Sequence, residues 1–541
     1  MDVQSIKLQQ SKLMEDYRDR QESIYQHFYY DPFQISNFKR RFDYVTEQSY
    51  RREELVKLLK EQNNQWGMTE QVESHIDELL NPQSTVVIAG QQTGLLSGPL
   101  YTIHKIVSVI IQAKEQRDYL QQPVVPVFWM AGEDHDFLEI DHVHTLADDG
   151  LHKTRIQDPT SFNVKKPISK RELPADTHDF VQRVFASFHE TEHTKAVYDT
   201  VIQSLEGSKT YVDFFACLIQ HLFKQEGLVL VDAADDALRR FEQDYFLQIV
   251  DHQFDIASSV VKRLQMLSND GYHVALDATT SDAHLFYHHN EERHLLEVDE
   301  SGYFVTKDGE ICFSKEELKD KIVEAPEQFS NNVVSRPLMQ ECVFPVLSFI
   351  GGPGEIAYWA ALKDAFRVMD LQLPIVTPRL SITLMQRNHQ SLLTDYQIDS
   401  ENLLNQGTYH YKMDWLKRQT RAPIEETVNE VEKQLEQAHQ PLQSLADSIS
   451  PDLFDLTTTN LDQMKDHLRF VENRLIQAVK QQNQTSVDHF DTLDTFYRPA
   501  NGLQERMWNV VYWLNEYGLS LPHQLTDLPA RWEQDHQLVR L

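Results

Sequence analysis

Apolar positions fall into three kinds of run along this chain, and each predicts a different element. The first kind is short, unbroken and rich in β-branched residues: Thr85–Ala89, Val124–Met130 and the GLVLVD segment from Gly227 to Asp232. Val343–Ile350, interrupted by Pro345, and Leu373–Thr377, closed by Pro378 and Arg379, have the same look. Runs of this length predict strands buried on both faces of a parallel sheet. The second kind recurs at helical spacing. Leu100, Ile103, Val107 and Ile110 form a stripe after Pro99, which suits the first helical position with Ser97 or Gly98 as cap. Helices are likewise predicted over Ile356–Met369, behind Pro353, from about Asp235 to Asn269, and between Thr177 and Phe223. The third kind is a heptad. Val428, Val431, Leu435, Ala438, Leu442, Leu445 and Ile449 alternate at three and four, and so do Leu461, Met464, Leu468, Val471, Leu475 and Ala478. The Ser450-Pro451-Asp452 break between them predicts an antiparallel helical hairpin, with Pro441 expected to kink its first arm.

The remaining stretches are less regular. Residues 1–82 read as helices and loops, with amphipathic segments at Ser49–Gln62 and Thr69–Leu80 and a turn at Asp31-Pro32. Residues 146–225 look inserted, opening with a polar, hairpin-like region from Leu151 to Pro167. Short strands are expected at His273–Leu276 and Leu285–His288, then a hairpin through VDESGYFVTKDGEICFS with turns at Gly302 and at Asp308-Gly309.

Two strand-to-helix turns repeat one device: an apolar strand, glycines, then a proline at the helix start. The first holds Gly90, Gln91, Gln92, Gly94 and Gly98 before Pro99, and the second is Gly351-Gly352-Pro353-Gly354-Glu355. Ligands of open α/β sheets bind beyond the carboxyl ends of the strands, so these turns are candidate halves of one site rather than mere connections. Free N–H groups at two such helix starts would suit a phosphate or carboxylate. Tyr101, His104 and Lys105 lie in the first turns of the helix after Pro99, and Glu355 stands where a capping carboxylate belongs. G-x-G-x-x-G and G-x-x-x-x-G-K-[ST] are both absent. At the end of Val124–Met130 the sequence turns abruptly polar with Glu133, Asp134, His135 and Asp136. With Asp141, His142 and His144 these residues invite a metal reading, but a hydrogen-bonding site for an amine or sugar hydroxyls fits Glu and Asp equally well, and no metal is expected. Near the C-terminus Arg498, Asn501, Gln504 and Arg506, beside Tyr497 and Trp508, form a candidate adenine-nucleotide pocket, with helix packing as the plainer alternative.

Composition narrows the class. Over 541 residues, 83 Asp and Glu against 51 Lys and Arg give a net charge of −32, which argues against nucleic-acid or anionic-membrane binding. Cys217, Cys312 and Cys342 stand far apart, which suits a reducing cytosol. The N-terminus lacks the apolar core of a signal peptide and no run approaches 18 apolar residues, so a cytoplasmic protein is expected. No G-x-S-x-G or reactive cysteine context supports acyl-enzyme chemistry.

The segments GQQTGLLSGPLYTIHK, PVVPVFWMAGEDHDFLEIDHV, RPLMQE, SFIGGPGEIAYWAAL and RPANGLQER together resemble the bacillithiol biosynthesis cysteine-adding enzyme family, BshC. The resemblance covers essentially the whole chain. It implies a cysteine ligase joining cysteine to the amino group of glucosaminyl-malate, the last step in making the thiol bacillithiol. It also implies an α/β fold: a Rossmann-like parallel-sheet core, similar to class I aminoacyl-tRNA synthetases, with helical and β-hairpin insertions and a C-terminal coiled-coil arm that makes a homodimer. That relationship suggests activation of cysteine with ATP or another adenine nucleotide. The synthetase signatures HIGH and KMSKS are absent, Thr102-Ile103-His104-Lys105 standing nearest to the first. Domains expected on this basis are an N-terminal arm with the first half of the core (1–145), a connective insertion (146–225), the second half with a β-hairpin insertion (226–380), a coiled-coil dimerisation domain (381–490) and a closing segment (491–541). In the site so implied, Gln91, Gln92, Tyr101, His104 and Lys105 face Arg336 and Gly351, Gly352, Gly354 and Glu355. Glu133, Asp134, His135 and Asp136 bind the amine and sugar, one of them or His135 taking the amine proton. Two other classes stay open: a metal-dependent hydrolase built on Glu133–His144, and a non-enzymatic, dimeric nucleotide-sensing adaptor.

Overall fold

The computed structural model describes residues 2–147, 150–157, 165–420 and 423–541. Its centre is a five-stranded sheet of β1 (Thr85–Gln91), β2 (Val124–Met130), β3 (Val229–Asp232), β4 (Val346–Gly351) and β5 (Ile375–Pro378), in the spatial order β5-β4-β1-β2-β3. All four pairings are parallel. Val86–Ala89 and Val124–Met130 are buried throughout, as expected when helices cover both faces and the strands can be apolar on each side. Helix α1 (Leu100–Leu120) makes the first crossover. Beyond β2, three helices (Thr177–Ala186, Thr194–Glu206 and Tyr211–Leu222) intervene before β3. After β3 come α2 (Asp236–Asp251) and the helix Gln253–Asn269. Strand order reverses between β1 and β4, the topological switch point where a crevice opens beyond the carboxyl ends.

Several expected boundaries shift, for local reasons. Pro99 is the cap of α1 rather than its first residue, and its ψ of 155° keeps it extended. The chain is held there because Leu100 N donates to Trp508 O (2.8 Å), and Asn509 Nδ2 donates to Leu96 O and Gly98 O (2.8 Å each). Gly98 takes a φ of +69° in this turn, a conformation that a side chain would strain. The Val343–Ile350 strand shortens, because α3 (Ser335–Val343) takes its first residue and Pro345 lacks an N–H. The Ile356–Met369 helix divides into α4 (Pro353–Trp359) and Lys363–Val368, and the helical stretch from Asp235 divides at His252. His273–Leu276 is not a strand; Val274 and Leu276 pack on the core without a pairing neighbour. The segment Leu285–His288 does lie in a strand, Asp282–His289, of a five-stranded antiparallel insertion that also takes in Glu292–Val298 and Phe329–Asn331. The polar region after residue 140 forms a two-stranded ribbon, His142–Ala147 with Gly150–Arg155; residues 158–164 of the expected hairpin lie outside the described residues.

The chain divides into two compact units, residues 1–383 with 505–539, and residues 384–504 with 540–541. The return to the first unit therefore starts at Glu505, and the helix Gln484–Tyr497 belongs to the second. The second unit carries α5 (Ile424–Ile449), continuous through Pro441, and α6 (Pro451–Gln482), joined at Ser450. His439 Nε2 meets Asn460 Oδ1 (3.2 Å) and Lys465 lies 3.5 Å from Glu432, so the two helices run antiparallel. Only His439 and Ala446 of α5 are buried, and none of α6.

Candidate active site

Lys105 occupies the switch point. Burial is nearly complete, and each of its three donors has an acceptor: Gly90 O at 2.7 Å, Gln91 Oε1 at 2.8 Å and Glu355 Oε2 at 2.6 Å. Burial pulls the ammonium below its usual range, and Glu355 opposes that shift. The same Glu355 oxygen accepts from Gly352 N (2.8 Å), capping the start of α4. Two crossovers that meet only in the folded sheet are thus fastened by one ammonium.

The contact extends sideways as a hydrogen-bonded row. Gln91 Nε2 donates to Gln92 Oε1 (2.6 Å), and Gln92 Nε2 donates to Asp134 Oδ2 (3.2 Å). Glu355, Lys105, Gln91, Gln92 and Asp134 therefore form one continuous chain beyond the ends of β4, β1 and β2. Arg336 stands behind it, bonded to the Tyr358 hydroxyl, whose pKa burial pushes up to about 12. A Cβ on Gly90 would lie 2.9 Å from Arg336 Nη1, so a side chain there would push the guanidinium aside. Gly351 O accepts from Arg379 N (2.8 Å), and Gly354 has open space around it.

The Glu133–Asp136 cluster splits. Glu133 is buried and engaged: Arg239 of α2 donates to its Oε2, Asn331 N lies 3.4 Å from the same atom, and Arg239 also holds Glu242 at 2.8 Å. Removing one member of such a buried ion set costs about 3–5 kcal/mol, which gives Glu133 a structural duty. Asp134 remains half-exposed beside Arg293 (3.7 Å). Arg293 lies over the Phe286 ring at 3.7 Å and donates to Ser330 Oγ and Asn331 O. The antiparallel insertion therefore builds one wall of the site. His135 is partly buried; burial first, then Arg293, depress its pKa, so the imidazole is neutral near pH 7, and its Nδ1 has no hydrogen-bond partner. Asp136 is exposed and stands just before a short helical turn. Next door, Asp232 at the end of β3 accepts from Ser169 Oγ (2.9 Å), and burial raises its pKa to about 6.

His104, adjacent to Lys105 in sequence, looks the other way. Its Nδ1 meets Glu505 Oε2 at 3.0 Å, and burial holds its pKa down. Glu505 also accepts from both Arg379 terminal nitrogens (2.8 and 2.5 Å) and from Ser381 Oγ (3.1 Å). Despite its burial these partners keep the carboxyl well below the usual range. Tyr101 faces Arg379 at 6.0 Å, and burial raises the phenol's pKa. Sequence reading did not assign roles to Arg379, Glu505, Arg239 or Arg293. Arg379 had a visible signal, a cation directly after a strand; the link of Glu505 to His104 spans 401 residues and had none.

The residues expected to hold a nucleotide are shared between the two units. Arg498 donates to Leu404 O (2.5 Å), and the buried Gln504 amide bonds the backbone of Leu384 and Phe496. These and the exposed Asn501 belong to the second unit, whereas the exposed Arg506 belongs to the first. Tyr497 is occupied with His389 (2.7 Å), and Trp508 is buried in the first unit. Among the described residues no group of three or more His, Cys, Asp or Glu is arranged to hold a metal ion; His142 and His144 stack edge to face at 5.3 Å.

Comparison with known proteins also divides the chain near residue 381, but assigns the closing segment 505–539 to the C-terminal part. The family model described as "Bacillithiol biosynthesis BshC, N-terminal Rossmann-like domain" matches residues 1–380, and that for the "C-terminal coiled-coil domain" matches residues 382–541. The chain belongs to the BshC family. Among similar BshC proteins, that of Oceanobacillus iheyensis is 36% identical over 534 residues, 98% of each chain. One from a Geobacillus species is 38% identical over 506 residues, 93% of each, and one from Bacillus cereus is 36% identical over the full 541. All three carry the description "Putative cysteine ligase BshC".

Proposed function

We propose that this chain is a cysteine ligase that forms an amide between the cysteine carboxyl and the amino group of glucosaminyl-malate, yielding bacillithiol in the cytoplasm. The observation that carries this reading is the hydrogen-bonded row from Glu355 through Lys105, Gln91 and Gln92 to Asp134. It joins a cationic end, with Arg336 and Arg379 close by, to an acidic end beside a neutral histidine. In a protein of net charge −32 a cationic end of this kind suits the carboxylates of malate or a phosphate, and the acidic end suits an amine and sugar hydroxyls. Amide formation needs an activated carboxyl, so ATP or another adenine nucleotide is the proposed co-substrate. The cysteine carboxylate attacks the α-phosphorus and pyrophosphate leaves. The amine then attacks the mixed anhydride and AMP leaves, with the amine proton passing to His135. His135 is preferred to Glu133 as base because Glu133 is already engaged by Arg239 and Asn331. The apolar positions along α5 and α6 support a homodimer through that arm.

Purified protein incubated with cysteine, glucosaminyl-malate and a panel of nucleotides is expected to yield bacillithiol by mass spectrometry with at least one of them. Absence of product with every nucleotide, together with normal bacillithiol in cells lacking the gene, overturns the assignment.

A further inference from the structure

The loop that carries Asp134 and His135 away from β2 is held partly by itself and partly from outside. Within it, Asp134 N donates to Ala131 O (3.1 Å), His135 N to Asp134 Oδ1 (2.8 Å) and Phe137 N to His135 O (2.9 Å). Ala131 N anchors its start on Gln91 O (2.9 Å). The outside hold comes from residues 165–171 of the insertion that follows. Ile168 N donates to Asp134 O (2.8 Å) and Ser169 N to Gly132 O (2.9 Å). Two consecutive amides therefore grip the two carbonyls that flank Glu133. The gripping segment has its own supports: Arg293 N donates to Lys165 O (3.0 Å), Lys170 Nζ lies 3.1 Å from Asp236 Oδ1 at the start of α2, and the Arg171 guanidinium lies over the Phe137 ring at 4.8 Å.

Ser169 locks this segment to the central sheet. Its Oγ donates to the Asp232 carboxylate at the end of β3, 2.9 Å from each oxygen. Asp232 is itself fixed, since Oδ1 accepts from Ala234 N (3.0 Å) and its own N donates to Gln62 Oε1 (3.0 Å). Burial raises the carboxyl's pKa to about 6, so at pH 7.5 it is ionised and the serine bond is charge-assisted. Gly132 brings the loop directly against the pair: a Cβ there would overlap both Ser169 Oγ and Asp232 Oδ1. One hydroxyl thus fixes the segment whose amides set the path of residues 132–134, next to His135. Displacing a reacting group by about 1 Å can cost about 10²-fold in rate.

We propose that Ser169, through its bond to Asp232, is a positioning residue for His135 and Asp134. The inference rests on the ligase reading above. Ser169→Ala, Asp232→Ala and the double variant are compared with wild type in the full chain at pH 7.5. Ser169→Ala should lower kcat at least tenfold and leave the KM for cysteine within twofold, because the base is displaced while the cysteine contacts stay. Asp232→Ala should match it, and the double variant should be no slower than either, since all three lack the same bond. Hydrogen exchange gives a readout that needs no turnover: the amides of Asp134, His135 and Phe137 should exchange at least tenfold faster in Ser169→Ala while those of β1 keep their protection. Asp232→Asn, which keeps an acceptor oxygen, should fall between Asp232→Ala and wild type in both readouts, and it serves if an alanine variant does not fold. Unchanged exchange in the loop, equal loss of protection in β1, a raised KM with kcat intact, or additive losses in the double variant overturns the proposal. A wild-type chain that makes no product with any nucleotide overturns the ligase reading and this inference with it. An active wild type beside an equally active Ser169→Ala chain overturns this inference alone.

Discussion

Among single residues, His135 and His536 show how burial sets a charge state. His135 is neutral because burial and Arg293 both disfavour its cation, and its Nδ1 is unbonded. His135→Gln is expected to lower the rate of amide formation by about 10²–10⁴-fold with little change in the KM for cysteine, and to remove the acidic limb of the pH–rate profile. A variant retaining both rate and limb would exclude His135 as the base. His536 lies between Ser381 Oγ and Thr383 Oγ1 (2.8 Å each), and burial holds its pKa at about 4. The folded chain therefore stays unprotonated there while the unfolded chain takes up a proton below about 6.5, so this group removes stability as pH falls from 6.5 toward 4. The stability of wild type relative to His536→Gln should fall by about 2 kcal/mol between pH 7.5 and 5, read from urea midpoints; a constant difference would contradict it. At this scale the sequence is half readable. Lys105 and Glu355 each stand out, in the first turns of a helix behind a Gly-Pro turn, but their shared contact depends on β1 and β4 lying side by side, which no local pattern encodes. Glu133 looked like substrate chemistry because its partner Arg239 belongs to a helix far along the chain.

The elements follow local rules where the rules are strong. Parallel strands at Val124–Met130 and Val229–Asp232 are legible because unbroken β-branched runs have few other stable homes. The errors fall where tertiary contacts choose between near-equal options: Pro99 becomes a cap because Trp508 and Asn509 hold the turn, and the alternating His273–Leu276 finds no partner strand. Hardest to foresee was the antiparallel insertion, whose strand pairing delivers Arg293 and Asn331 to the end of β2. Close approach between elements makes a testable demand at Gly132, where a Cβ would overlap Ser169 Oγ and Asp232 Oδ1. Gly132→Ala is expected to cost about 1–3 kcal/mol by overpacking, and Ser169→Gly in the same chain should recover part of that. Thermal denaturation of the single and double variants decides it; an unchanged midpoint for Gly132→Ala would show that the turn relaxes freely.

For the whole molecule, the arm is where surface and sequence agree most directly. Heptads predict a helical hairpin, and α5 and α6 form one, yet Leu442, Leu445 and Ile449 of α5 and Leu456 and Phe470 of α6 are all exposed in the single chain. Leu456 and Phe470 stand two heptads apart, on one face of α6. Leu456→Glu with Phe470→Glu is expected to convert a dimer to a monomer in sedimentation velocity without loss of helical circular dichroism. A wild-type chain that sediments as a monomer at micromolar concentration would remove the dimer from the picture.

Because the first unit is completed only by residues 505–539, the chain has a built-in order of manufacture. Lys105 can meet Glu355 while synthesis is still under way, but Arg379 and His104 wait for Glu505 until the whole of residues 384–504 has been translated. At 5–20 residues per second that interval is on the order of ten seconds. During it Arg379 and His104 lack the carboxylate of Glu505 that they share in the folded chain. Every truncated product that ends inside the arm is left in that state.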